Sequence, residues 1–443
     1  MNSRYSHEGY TEIKVPRIFL SHFYLAILLC SFDFKASFSG KGFAIQVPVW
    51  GFYFLSFVII FFQLLIARSH VREMRYFLLI CISFLVCATF AGVIAQQKTW
   101  DIFTNFVAFS IYVTASVATL VTLKLCSDRT AMLSTMKNIC LAFMVLHFLM
   151  VYFIGGGINL AVSRYEYLSG ATIPASALLA IGAVLHLGAK EILIAVTNVA
   201  IILISVTRTQ LAVIIGQLAS VFFAAPALAF RLTVIKKVGA VLLLGLSIIA
   251  IDIAAESGLT HRWLVRLTVG RTMKADPTAL TRYAEVHYMF GQLTASVTQC
   301  LIGNGIAART KLTGPSAALA AKLVGKESVT SVRSNGFGHN NHMSVLFVGG
   351  LFFGAPLLLL NFLNGFQAFV LMRRLFKPNA YARELVYIGI WGSLIVIGML
   401  AVGFFSGIYS QRADCLWYGI GTGMLYWTRG EVKRETAKGM ALQ

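Results

Sequence analysis

Apolar runs about as long as a bilayer is thick recur from one end of this chain to the other, and that recurrence leaves few folds open. "FLLICISFLVCATFAGVIA" (Phe77–Ala95) is representative, because it carries no charge at all. A hydrocarbon core takes about 20 apolar residues per helix, and only helices or closed barrels satisfy every backbone polar group inside it. Twelve such helices are expected, over 18–34, 43–66, 76–95, 102–125, 138–155, 172–187, 191–207, 209–230, 236–255, 343–371, 384–408 and 413–427. Composition agrees: of 443 residues, 58% are hydrophobic and only 12% charged, roughly half the charge of a soluble domain. The expected fold class is all-α, a polytopic membrane protein of about 12 transmembrane helices.

A net charge of +20 suggests nucleic acid only until the positions of the charges are read. Arg68, Arg72 and Arg75 lie between the second and third spans; Lys124, Arg129 and Lys137 lie between the fourth and fifth. "FRLTVIKKVG" follows the eighth and "MRRLFKPNAYAR" the tenth. These are alternate connections, so the positive-inside tendency places all four in the cytoplasm. Both termini then face the cytoplasm, as the basic tail "WTRGEVKRETAKG" also suggests, and no nucleic-acid partner is expected. The polar N-terminal segment lacks a small-residue cleavage site after the first apolar run, which is therefore read as an uncleaved helix. Seven cysteines are scattered, with only Cys300 in a long polar segment, so neither a disulfide framework nor a cysteine metal site is expected.

The chain accordingly divides into helices one to nine (1–256), one large extracytoplasmic loop (257–342), and helices ten to twelve with a cytoplasmic tail (343–443). The loop holds ten Lys and Arg against three acids. Long loops are translocated despite such charge, yet the surplus calls for an anionic partner: lipid headgroups or a phosphate-bearing substrate. Within it, "ADPTALTRYAEVHYMFGQL" reads as a helix with Asp276 as N-cap and Pro277 at the first helical position. Arg282 and Glu285 then share a face. "GPSAALAAKLVGKES" reads as a second, shorter helix.

A few polar residues stand where chemistry is possible. Arg208, in "SVTRTQLAV" at the junction of spans seven and eight, is costly to desolvate unless a cavity or an anion receives it. It is either a snorkelling interfacial side chain or, given the bidentate fit of guanidinium to phosphate, an anion ligand. Arg282 is either a solvated surface residue or part of the same anion site. At the foot of span ten, "SNGFGHNNHMSVLFVGGLFFG" sets His339, Asn340, Asn341 and His342 against an apolar run. An imidazole there can act as a general base near neutral pH. The His-x-x-His spacing lacks an acidic or cysteine companion nearby, so no zinc site is expected. "IGNGIAA" imitates a dinucleotide fingerprint without its strand–turn–helix context. Gly350 and Gly354 have the spacing of close helix packing. Glu166, Asp252 and Glu256 lie near extracytoplasmic ends, with no spacing that singles one out for proton transfer.

Taken in order, "VTRTQLAVIIGQL", "LTRYAEVHYMFGQLTASVTQCLIGNG" and "GHNNHMSVLFVGGLFFG" resemble the O-antigen ligase and polymerase superfamily of bacterial inner-membrane glycosyltransferases. In that family an arginine opens a helix after a small polar residue, a second begins an amphipathic helix leading to a Gly-x-Gly turn, and a His-Asn pair starts a glycine-spaced helix. The resemblance is patterned over Val206–Gly354 and topological before it. It implies transfer of an oligosaccharide from an undecaprenyl-diphosphate carrier to an acceptor hydroxyl at the outer face of the inner membrane, with inversion and without metal or cofactor. It implies Arg208 and Arg282 on the diphosphate and His339 on the acceptor hydroxyl. Asn340, His342, Arg271 and Arg333 are expected as further substrate contacts. Besides membrane lipids, a flippase and a chain-length regulator are the partners such an enzyme would have.

Three readings stay open: a polymerase joining lipid-linked repeat units, a ligase moving a finished glycan onto lipid A core, and a twelve-span transporter or flippase. Transporters usually bury ionisable groups near mid-membrane and show related halves; here the polar groups gather on one face and the halves look unlike. Which histidine acts is also open.

Overall fold

The computed structural model of the protein describes residues 68–126, 128–154, 167–182, 188–205, 207–225, 276–312, 314–324, 338–377 and 381–441, with isolated positions between them. Apart from Leu25 and Gly51, the expected spans at 18–34, 43–66 and 236–255 lie outside the described residues, as do Glu166, Asp252, Glu256, Arg271 and Arg333. Every regular element among the described residues is helical. In chain order these are α1 (Arg75–Ile94), α2 (Thr99–Leu125), α3 (Arg129–Ile154), α4 (Thr172–Gly182), α5 (Ala189–Ser205) and α6 (Arg208–Ala224). Then come α7 (Pro277–Leu293), α8 (Val297–Ile302), α9 (Pro315–Val324), α10 (Asn341–Gly349), α11 (Ala355–Leu375), α12 (Arg383–Gly403) and α13 (Arg412–Ala441). A π turn, Gly350–Gly354, joins α10 to α11.

Among the described residues, five stretches are long and apolar enough to cross a membrane: Val71–Ile94, Thr99–Leu125, Arg129–Phe153, Asn341–Leu375 and Arg383–Gly403. They coincide with the third, fourth, fifth, tenth and eleventh expected spans. Leu79, Ile82, Val86, Phe90 and Val93 point outward from α1, Phe90 with 65% of its surface exposed. In water each would forfeit about 1.5–3 kcal/mol of burial; against lipid tails that cost disappears.

Several boundaries differ from the sequence reading, two of them for a plain local reason. The expected span 209–230 ends at Ala224, where Ala225 turns extended at φ −66°, ψ 125°. Pro226 follows, and a proline disfavours helical geometry in the residue before it. The expected span 413–427 instead continues as helix to Ala441. Its tail is rich in good helix formers, and Arg434 pairs with Glu431 at 2.7 Å, three residues away.

The core is built around α2, α12 and α13, with α2 and α13 in the most extensive contact. Glycines permit it. A Cβ on Gly419 would lie 2.6 Å from the Tyr112 carbonyl oxygen, and one on Gly423 would lie 2.4 Å from that of Ser116. The four-residue spacing therefore lets α13 settle backbone to backbone on α2. Polar ties hold α11 to the same core. Asn361 Oδ1 accepts from Tyr409 OH at 3.0 Å and Tyr418 OH at 3.3 Å, Asn364 Oδ1 accepts from Tyr426 OH at 3.2 Å, and Gln367 Oε1 accepts from Arg429. Three amides at three-residue spacing thus form one interhelical ladder, a pattern visible in "NFLNGFQ" that the hydropathy reading passed over.

Candidate functional site

Arg208, Arg282 and His339 come from three distant parts of the chain, and α7 connects them. Asp276 caps α7 by accepting from the Thr278 N–H through Oδ1 at 2.9 Å. Its other oxygen, Oδ2, lies 2.7 Å from Arg208 Nη2, where α6 begins. One carboxylate thus starts one helix and aims the first side chain of another. Arg282 lies six residues on, about 9 Å along the axis. It is half-buried, with its guanidinium carbon 6.0 Å from the centroid of the Phe405 ring in the α12–α13 connection.

Glu285 comes one turn later, about 14 Å from the cap along the axis. Only 1% of its side chain is exposed, although His339 beside it is 43% exposed. Glu285 Oε2 accepts from the His339 backbone N–H and ring Nδ1, both at 3.1 Å, and Oε1 accepts from Thr310 Oγ1 at 3.0 Å. With Glu285 ionised its oxygens only accept, so Nδ1 is the donor of this pair, and in a neutral imidazole Nε2 then keeps the lone pair. That is the arrangement of an oriented base. Gly338 makes room for it, since a Cβ there would fall 2.2 Å from Glu285 Oε1. Sequence reasoning had put Glu285 on the face of Arg282 without assigning it a partner.

The other members of the polar cluster separate. Asn340 caps α10, its Oδ1 accepting from the Met343 N–H at 2.9 Å. Ser344 Oγ accepts from the Gly338 N–H at 2.8 Å and donates to the Asn340 carbonyl at 2.7 Å, fixing the approach to His339. Asn341 is buried and accepts from the Tyr409 N–H at 3.2 Å. His342 turns inward: its Nε2 donates to the Leu400 carbonyl at 3.1 Å, and its ring packs at 4.4 Å on Phe404 and 5.1 Å on Phe362. His339 faces out while His342 ties α10 to α12. The sequence placed them together; His339 precedes the Asn340 cap, while His342 lies in the first turn after it.

Thr310 reaches Glu285 from a strap whose path explains "IGNGIAA". Asn304 and Gly305 donate their N–H groups to the Phe347 and Val348 carbonyls at 2.9 and 3.1 Å, and Ile306 donates to the Ala88 carbonyl at 2.9 Å. Gln97 clamps the other edge, donating to the Asn304 carbonyl at 2.6 Å and accepting from the Ala307 N–H at 2.8 Å. Arg309 then pairs with Asp101 at 2.5 Å. α10 ends just past the two carbonyls used. Gly350, at φ +61°, lies so close that a Cβ would be 2.5 Å from Gly303 N. Gly350 therefore serves this strap, whereas Gly354, where a Cβ would lie 2.4 Å from the Val345 carbonyl oxygen, allows the close packing of α10 and α11 that the sequence suggested.

The arrangement offers two guanidinium groups and an oriented imidazole along one 14 Å length of helix. Among the described residues no three His, Cys, Asp or Glu side chains are grouped to hold a metal ion. No family model matches the chain, and no curated protein matches it.

Proposed function

We propose that the protein is a polysaccharide polymerase of the bacterial inner membrane, which transfers oligosaccharide from an undecaprenyl-diphosphate carrier to an acceptor sugar hydroxyl on the outer face. Twelve spans, cytoplasmic termini and an extracytoplasmic 257–342 segment belong to this proposal. The observation that carries it is the His339–Glu285 pair, set on the same helix as Arg282 and on the helix whose cap holds Arg208.

In this mechanism the acceptor oxygen attacks the anomeric carbon and gives its proton to His339 Nε2. The bond from that carbon to the diphosphate oxygen breaks, and the lipid diphosphate leaves as an anion. Such a leaving group needs no proton, only stabilisation of its charge, which fixed guanidinium groups supply in a water-poor setting. Arg208 and Arg282 have that role. The buried Glu285 holds the imidazole in the tautomer that accepts, and stabilises it once protonated. His342 is excluded as base by its contact with Leu400, so the assignment falls on His339.

The test is the glycan made by a deletion strain complemented with variants. His339→Ala and Arg282→Ala are expected to abolish polymer at normal protein levels, and Arg208→Lys to damage it, because a point charge does not replace bidentate contact. Full-length polymer from either alanine variant defeats the assignment. Loss of glycan transfer to lipid A core with polymer intact favours the ligase reading instead.

A further inference from the structure

Where the C-terminal end of α11 meets α13, basic side chains gather. Arg429 is half-buried between α11 and α13, donating to Gln367 Oε1 with its guanidinium carbon 5.4 Å from the Tyr426 ring centroid. Arg374, at the end of α11, is close enough to oppose its charge. Lys433 follows Arg429 by one turn, on the same face of α13. Among the described residues none of the three joins an ion pair, and nearby acids are committed elsewhere: Glu73 to Lys124 and Arg434, Glu431 to Arg434. A guanidinium partly withdrawn from water beside a second one is costly, and a bound anion offsets that cost.

The neighbouring surface indicates which anion. Leu359, Phe362, Leu363 and Phe366 form a helical stripe on the outside of α11, all exposed, Phe366 with 67% of its surface. The stripe runs on to Arg373 and Arg374. An apolar track that ends in a basic group is complementary to an amphiphile, whereas a soluble anion would use only the basic end. We propose that Arg374, Arg429 and Lys433 form a binding site for the phosphate headgroup of an anionic membrane lipid, whose acyl chains lie along the Leu359–Phe366 stripe. Gln367 and Tyr426 hold Arg429 in place for it. The site stands whether or not the glycan chemistry at the other end is right.

The full chain in non-ionic detergent, titrated with phosphatidylglycerol or phosphatidylcholine of identical acyl chains and followed by native mass spectrometry, tests this. One phosphatidylglycerol is expected to be retained in preference. Arg374→Gln and Arg429→Gln should each weaken it about fivefold, the worth of one basic contact near a membrane, while Lys98→Gln, exposed in the α1–α2 connection, should leave it unchanged. Arg429→Lys, which keeps the charge, should retain most of the preference and guards against loss through misfolding. Equal retention of the two lipids overturns the proposal. So does undiminished binding by the folded double variant, or displacement of the lipid by inorganic phosphate.

Discussion

A buried carboxylate is tolerated when its oxygens are saturated by donors, and Glu285 receives three from two other segments. This makes it the residue on which the candidate site turns. General-base catalysis typically supplies a factor of about 10²–10⁴, much of which a misoriented imidazole forfeits. Glu285→Ala is therefore expected to lower kcat about a hundredfold with KM little changed, as measured by steady-state transfer assays. Gly338→Ala should do the same indirectly, because its Cβ would collide with the carboxylate. His342→Ala is predicted to behave oppositely. It should cost about 2 kcal/mol of stability through the lost Leu400 bond, seen as a lower unfolding midpoint in detergent, while activity per folded molecule persists. Residue identities pointed to the cluster "GHNNH", but not to which histidine faces out. That depends on how α10 is seated, which Leu400, Phe404 and Tyr409 determine from more than fifty residues away.

At the scale of elements, local signals were legible and long-range ones were not. Asp276 followed by Pro277 gave the start of α7, and Pro226 contains the reason α6 stops where it does. The strap at Gly303–Thr310 was opaque, since much of its anchoring is to the backbone carbonyls of Phe347, Val348 and Ala88, which no side-chain pattern announces. The α2–α13 seam lay between, because "YGIGTG" shows small residues at the right spacing without naming the neighbour. Gly423→Leu is accordingly expected to prevent accumulation of folded protein, judged by detergent extraction and gel filtration. Gly216 in α6 is the control: a Cβ there meets nothing within 4 Å. Gly216→Ala should raise stability by up to about 1 kcal/mol, the helix-propensity difference.

For the whole molecule, the apolar periodicity carried the class of fold, and the charges carried an orientation that awaits measurement. Single cysteines placed beside Arg208 and His339 should react with a membrane-impermeant thiol reagent added to intact cells, and those beside Arg374 and Lys433 only after the membrane is opened. The account as a whole depends on whether the α7 constellation moves sugar from a lipid diphosphate. The most direct measurement incubates the purified protein with a defined lipid-diphosphate-linked repeat unit and resolves the products by length. A growing ladder from the wild type, absent with His339→Ala and faint with Glu285→Ala, is the predicted result. A ladder from His339→Ala equal to that of the wild type, or no elongation by folded wild-type protein, contradicts it.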